Sequence, residues 1–220
     1  MPTHLYFDFD GTLVNSLEAA FNAFQRVGPT FGCAPLSRDQ LERLRGLHAR
    51  EVVRALGVPL HRLPQLAARM RRTMRGELME TPPVEGIAEV LDVLQRRGLA
   101  LGILSSNARE SVTAYVRRHR LPGLADIVGE TGVFGKAAAL RRQVRRLGLE
   151  SRDLVYVGDE LRDLEAARAA RARFAAVAWG YTPMEHLAAA APDFRCERPQ
   201  DLLFVASRSP SARDVCAARP

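Results

Sequence analysis

Asp8 and Asp10 stand two residues apart in Asp8-Phe9-Asp10-Gly11-Thr12-Leu13, directly after the apolar run Leu5-Tyr6-Phe7. Strand alternation would put both carboxylates on one face, and Gly11 would turn the chain where the strand stops. Adjacent like charges need a cation or a shared proton, so the pair calls for a hard metal ion with oxygen ligands, most simply Mg²⁺. A second acidic turn follows Leu154-Val155-Tyr156-Val157-Gly158 as Asp159-Glu160-Leu161-Arg162-Asp163. If a helix begins near Asp159, the spacing of four stacks Asp159 and Asp163 on one face, while Glu160 serves as a helix cap. Lys136 is the sole lysine among 32 Lys and Arg residues. An ammonium is a compact charge that suits an aspartate and a phosphoryl oxygen together, where a guanidinium is a larger planar fork. Finally, Ser105-Ser106-Asn107 follows the apolar run 99–104; a hydroxyl and turn amides there can hold a phosphoryl oxygen without adding charge.

These motifs together resemble the haloacid dehalogenase superfamily, whose phosphatases carry Asp-x-Asp-Gly-Thr after the first strand. The resemblance spans residues 4 to about 205, with the nucleophile strand, hydroxyl strand, lysine and Gly-Asp-x-x-x-Asp turn in family order. It implies that Asp8 attacks phosphorus to give an aspartyl-phosphate, and that Asp10 protonates the leaving oxygen and then activates water. It further implies phosphate contacts from Ser105, Ser106, Asn107 and Lys136, and metal binding by Asp8, Asp10, Asp159 and, in a supporting role, Asp163. The acid at position 10 favours phosphorus chemistry over dehalogenation. The chain looks most like the phosphoglycolate-phosphatase-like branch, where Gly46-Leu47-His48-Ala49-Arg50 occupies a specificity segment; His48 and Arg50 are candidates to touch the leaving group. A sugar phosphomutase on the same core and a non-enzymatic binding module are the alternatives. Phosphonate hydrolysis is excluded, because residues 15–83 contain no lysine for a Schiff base.

The elements that position these residues are legible in the hydrophobic patterning. Strands at 5–9, 99–104, 154–157 and 174–178, with a short one possible at Asp126-Ile127-Val128, alternate with helices at 86–97, 136–147 and 161–170. That order specifies an α/β fold: a Rossmann-like parallel sheet with helices on both faces and a ligand crevice at the strand mouths. Residues 15–83 read as helices instead: Leu17 to Phe31, Arg38 to Arg45 behind a Ser37/Gln40 capping box, Arg50 to Leu56, and Pro64 to Glu80. The expected organisation is a catalytic core of 1–14 and 84–205, a small all-α cap of 15–83 closed by Pro82-Pro83, and a disordered tail of 206–220.

Composition narrows the function classes. The chain has 220 residues, 47% of them hydrophobic but in no extended run, which excludes a membrane span. Three scattered cysteines form neither a disulfide framework nor a zinc pattern, and no signal peptide precedes the first strand, so a cytoplasmic enzyme is expected. The net charge is +7, of which residues 15–83 carry +5, densest at Arg69, Arg71, Arg72 and Arg75. Without aromatic interleaving, zinc spacing or a helix-turn-helix, this reads as a solvated helical face that also draws small anions, not as a nucleic-acid site. Gly129 to Lys136 is not a P-loop, since Glu130 and Ala137 replace the required Gly and Ser/Thr. The expected partner is a small phosphorylated metabolite, acted on by a monomer or homodimer.

Overall fold

The computed structural model describes residues 3–45, 47, 49–132 and 135–207, with residues 49 and 50 as backbone alone. Its centre is a six-stranded, wholly parallel sheet in the order β3-β2-β1-β4-β5-β6. After β1 (His4–Phe7) come four helices, α1 (Leu17–Val27), α2 (Arg38–Arg45), α3 (Ala49–Ala55) and α4 (Leu63–Glu80). The remainder runs α5 (Ile87–Arg96), β2 (Ala100–Leu104), α6 (Arg109–Arg118), β3 (Leu124–Val128), α7 (Lys136–Arg146), β4 (Leu154–Gly158), α8 (Leu161–Ala170), β5 (Arg173–Val177), α9 (Met184–Ala189), β6 (Phe194–Cys196) and α10 (Leu202–Val205).

The near-continuous apolar strands are buried on both faces, as a parallel sheet requires. Pleating sends Leu5 and Phe7 to one side, where they join Ile103, Val157, Val177 and the inner residues of α5, α6 and α10. Tyr6 points the other way and packs with Tyr156, Phe174 and the apolar positions of α7 and α8. The helical segment has its own small core around Phe21, Phe24, Val27 and Leu66. The predicted Ser37/Gln40 box is formed: the Ser37 amide donates to Gln40 Oε1 at 2.8 Å, and the Gln40 amide to Ser37 Oγ at 3.2 Å. Two side-by-side crossings join segment and core, where the Val84 amide donates to the Leu13 carbonyl at 3.0 Å.

Several boundaries differ from expectation. The first helix ends at Val27 and Gly28–Phe31 is a 3-10 turn. α6, α9, α10 and β6 are additional elements. The tail does not begin at 206, because Ala206 is buried in the core; residues 208–220, including Cys216, lie outside the described part. Among the described residues no helix is long and apolar enough to cross a membrane.

Candidate active site

β1 stops at Phe7, so pleat alternation is not what brings the two acids of the first motif to the site. A tight turn does this. The Phe9 carbonyl accepts the amides of Thr12, Leu13 and Val14, and Gly11 adopts a φ of 75°, a conformation that suits glycine. Asp8 is thereby left at the sheet edge, 3% exposed. Lys136 Nζ donates to Asp8 Oδ2 at 2.6 Å and to Asp163 Oδ1 at 2.5 Å, and is itself 2% exposed. The lysine occupies the first turn of α7, which contains no acidic residue, although a positive charge opposes the helix dipole there. Two buried carboxylates offset that local conflict.

The second acidic turn is built differently from the single helical face expected of it. α8 starts at Leu161 with Glu160 as its N-cap, so Asp159 precedes the helix. The helix cannot start earlier because the Glu160 amide donates to Asp163 Oδ2 at 3.2 Å, closing a capping box. Asp163 thus caps the helix with one oxygen and holds Lys136 with the other. Asp159 is fully buried, accepting from the Thr12 hydroxyl at 2.7 Å and from the Tyr181 amide at 2.7 Å. A Cβ on Gly180 would lie 2.1 Å from the Asp159 Cβ, and one on Gly11 would lie 2.1 Å from Asp159 Oδ2. Two glycines from separate loops therefore let the backbone close around this carboxylate. The Arg45 guanidinium ties the helical segment to the same loop, donating to the Tyr181 carbonyl at 2.8 Å and the Gly180 carbonyl at 3.1 Å.

One carboxylate oxygen from each of Asp8, Asp159 and Asp163 falls within a cluster no wider than 4.8 Å. Burial and the neighbouring Asp163 push Asp8 up to about 7 against the pull of Lys136; burial and the other acids likewise raise Asp159. Lys136 is held charged by Asp163 and Asp8 despite burial. Three buried carboxylates facing one ammonium are under-neutralised, and their oxygens are the donors that a hard divalent cation takes, so the residues fit a metal ion. Asp10 does not contribute its carboxylate to that cluster. Its Oδ2 accepts from Asn107 Nδ2 at 2.7 Å, its Oδ1 has no hydrogen-bond partner, and burial raises its pKa.

Ser105 is fully buried, its Oγ accepting the Asn107 amide at 3.1 Å. Ser106 and Asn107 line a cavity of about 350 Å³ that Arg71, Arg72 and Arg75 of α4 also line. The arginine cluster is therefore not solely a solvated face, because three of its members line this cavity, Arg72 and Arg75 from exposed positions. Arg50 and His48 lie outside the described side chains. Sequence reasoning assigned no role to Thr12, Gly180, Tyr181 or Arg162. Thr12 was visible within the first motif, and Gly180-Tyr181 follow a buried strand, whereas nothing local marks Arg162, which pairs with Glu160 at 2.6 Å.

Comparison with known proteins bears on the family and the fold. A phosphoglycolate phosphatase from Synechococcus elongatus is 38% identical over 200 residues, covering 90% of this chain and 94% of its own. Pyrophosphatase PpaX from Bacillus pumilus is 28% identical over 205 residues, covering 90% and 94%. Among solved structures, a haloacid dehalogenase-like family hydrolase from Streptococcus pneumoniae shares the fold with a TM-score of 0.76 at 19% identity, over 93% of this chain and 98% of its own. The family model described as haloacid dehalogenase-like hydrolase matches residues 5–177, and the chain belongs to that family.

Proposed function

We propose that this chain is a Mg²⁺-dependent phosphatase that hydrolyses a small phosphomonoester through an aspartyl-phosphate on Asp8. The observation that carries the reading is the bridge from Lys136 to Asp8 and Asp163, with Asp159 beside them, in a buried cluster. Asp8, Asp159 and Asp163 would hold the cation, which when bound offsets negative charge on the phosphoryl oxygens. Lys136 fixes the attacking carboxylate and offers a charge to the same oxygens. Ser105, Ser106 and Asn107 supply uncharged donors at the mouth of β2.

An oxygen of Asp8 attacks phosphorus as the ester P–O bond breaks, and Asp10 gives its proton to the departing oxygen. Asp10 then takes a proton from water as that water attacks phosphorus, the bond to Asp8 breaks, and phosphate leaves with the Asp8 carboxylate restored. A raised pKa and an oxygen without a partner suit Asp10 to hold and pass that proton. Residues 15–83 act as a cap whose movement controls water access. Cys33 and Cys196, both buried and unpaired, fit a reducing cytoplasm, and the enzyme works as a monomer or homodimer. The substrate class is small phosphomonoesters such as phosphoglycolate, the compound in the name of one relative.

Assay of purified protein on a phosphate-ester panel with and without Mg²⁺ tests the reading. Asp8→Asn should abolish turnover while the fold persists, since it keeps shape and removes the nucleophile. Wild-type activity in Asp8→Asn, in a preparation free of contaminating phosphatase, would overturn it.

A further inference from the structure

The cavity above Ser106 and Asn107 is asymmetric in charge. Arg71 and Arg75 are one helical turn apart on α4, with Arg72 beside them, and all three face the space. Like charges at this spacing repel, and such arginines ordinarily find acids. Some arginines elsewhere on this protein do: Arg38 pairs with Glu18, Arg45 with Glu42 and Arg118 with Glu80. Among the described residues the side chains of Arg71, Arg72 and Arg75 form neither an ion pair nor a hydrogen bond, and Glu130, which lines the same cavity, pairs with none of them. The opposite wall adds to the positive potential. Ala108 and Ser111 bring the start of α6 to the cavity, and that ten-residue helix has no side-chain cap on its first amides.

The position of the cavity fixes which part of a substrate would enter it. Asn107 lines the cavity and donates to Asp10 at 2.7 Å, and Phe9, between the two acids of the first motif, forms part of its wall. Asp10 must reach the leaving oxygen to protonate it, so whatever is bonded to that oxygen extends past Asn107 toward α4. At about 350 Å³, the space lies at the small end of ligand pockets.

We propose that Arg71, Arg72 and Arg75 form a subsite for a second anionic group, carboxylate or phosphate, on the leaving portion of the substrate. This inference rests on the phosphatase reading and deepens it: the preferred substrates are small phosphate compounds with an acidic leaving group rather than neutral sugar phosphates. The guanidinium forks give charge-assisted, often bidentate hydrogen bonds to either anion. Unpaired in the free protein, they need break no internal ion pair to do so.

A matched pair of ligands tests the idea. 2-Phosphoglycolate and 2-hydroxyethyl phosphate differ mainly in the carboxylate. Their binding to the Asp8→Asn variant with Mg²⁺, measured by calorimetry, should favour the acid by about tenfold or more. Adding Arg71→Gln, Arg72→Gln and Arg75→Gln to that variant should bring the ratio close to one. Inorganic pyrophosphate, tested in parallel, separates a preference for a second phosphate from one for a carboxylate. If the triple variant fails to fold by circular dichroism, Arg72→Gln and Arg75→Gln singly, both at exposed positions, carry the same comparison. A parent that does not distinguish anionic from neutral ligand, or a ratio that survives the arginine substitutions, overturns the proposal. Turnover by the unsubstituted chain is the separate readout: an arginine-dependent binding preference without hydrolysis of any ester would uphold the subsite and sink the phosphatase reading.

Discussion

Lys136→Arg is the most demanding perturbation available, because it preserves charge and changes only shape. At 2% exposure, with contacts of 2.6 Å and 2.5 Å to Asp8 and Asp163, the ammonium fills a closed space. The Tyr156 ring centroid lies 5.7 Å from it. A guanidinium must displace one of these neighbours, and overpacking of this kind costs about 1–3 kcal/mol of stability. A lysine at a solvent-filled crevice would leave folding indifferent to its replacement, but this one is buried and folding depends on it. In turnover, losing a preorganised charge at the attacking oxygen should cost on the order of 3 kcal/mol of transition-state stabilisation, about 10²-fold in kcat/KM. Lys136→Met goes further, leaving buried carboxylates without their cation, and should destabilise the metal-free chain by about 3–5 kcal/mol. Urea unfolding with and without Mg²⁺, together with phosphate-release kinetics, separates the two effects. A Lys136→Arg protein with normal kcat/KM and an unchanged urea midpoint would refute the reasoning: the solitary lysine would then be an accident of composition.

Three further outcomes follow from the geometry around the acids. Burial holds Asp8 up at about 7, and Asp10 and Asp159 shift the same way, so the folded metal-free chain keeps protons that the unfolded chain has released above about pH 4. Its stability should therefore fall as pH rises from about 4 through 7, with Mg²⁺ raising the melting temperature more at pH 8 than at pH 5; a Mg²⁺ effect independent of pH would contradict this. Thr12→Val removes the hydroxyl that orients Asp159 and should weaken Mg²⁺ binding by about tenfold or more in calorimetry, whereas unchanged affinity would show that the hydroxyl does not act through Asp159. Gly180→Ala drives a methyl into Asp159 and should cost on the order of 2 kcal/mol in chemical denaturation; an unaltered midpoint would mean that the loop moves freely.

The sequence by itself determined the parts of this protein that depend on local periodicity and turn chemistry. Leu5-Tyr6-Phe7 and Leu154–Val157 could only be strands buried on both faces, and each is. Acids and hydroxyl at the ends of such runs declared both the sheet edge and the chemistry, since side chains at strand mouths converge whatever the loop details. α6 was not visible because only Val112 and Tyr115 of its charged sequence are buried, too few to mark a period. β6 has three residues, below the length at which alternation means anything. Tertiary structure alone decided the partnerships: which two acids share Lys136, that Asp159 is held by Thr12 and the Tyr181 amide rather than by its own helix, and that α4 turns its arginines toward a cavity. Each of these joins residues distant in the chain whose local sequence is equally consistent with solvent. Lys136 shows why: its place at a helix start is unfavourable locally, and only the carboxylates delivered by β1 and α8 make it stable.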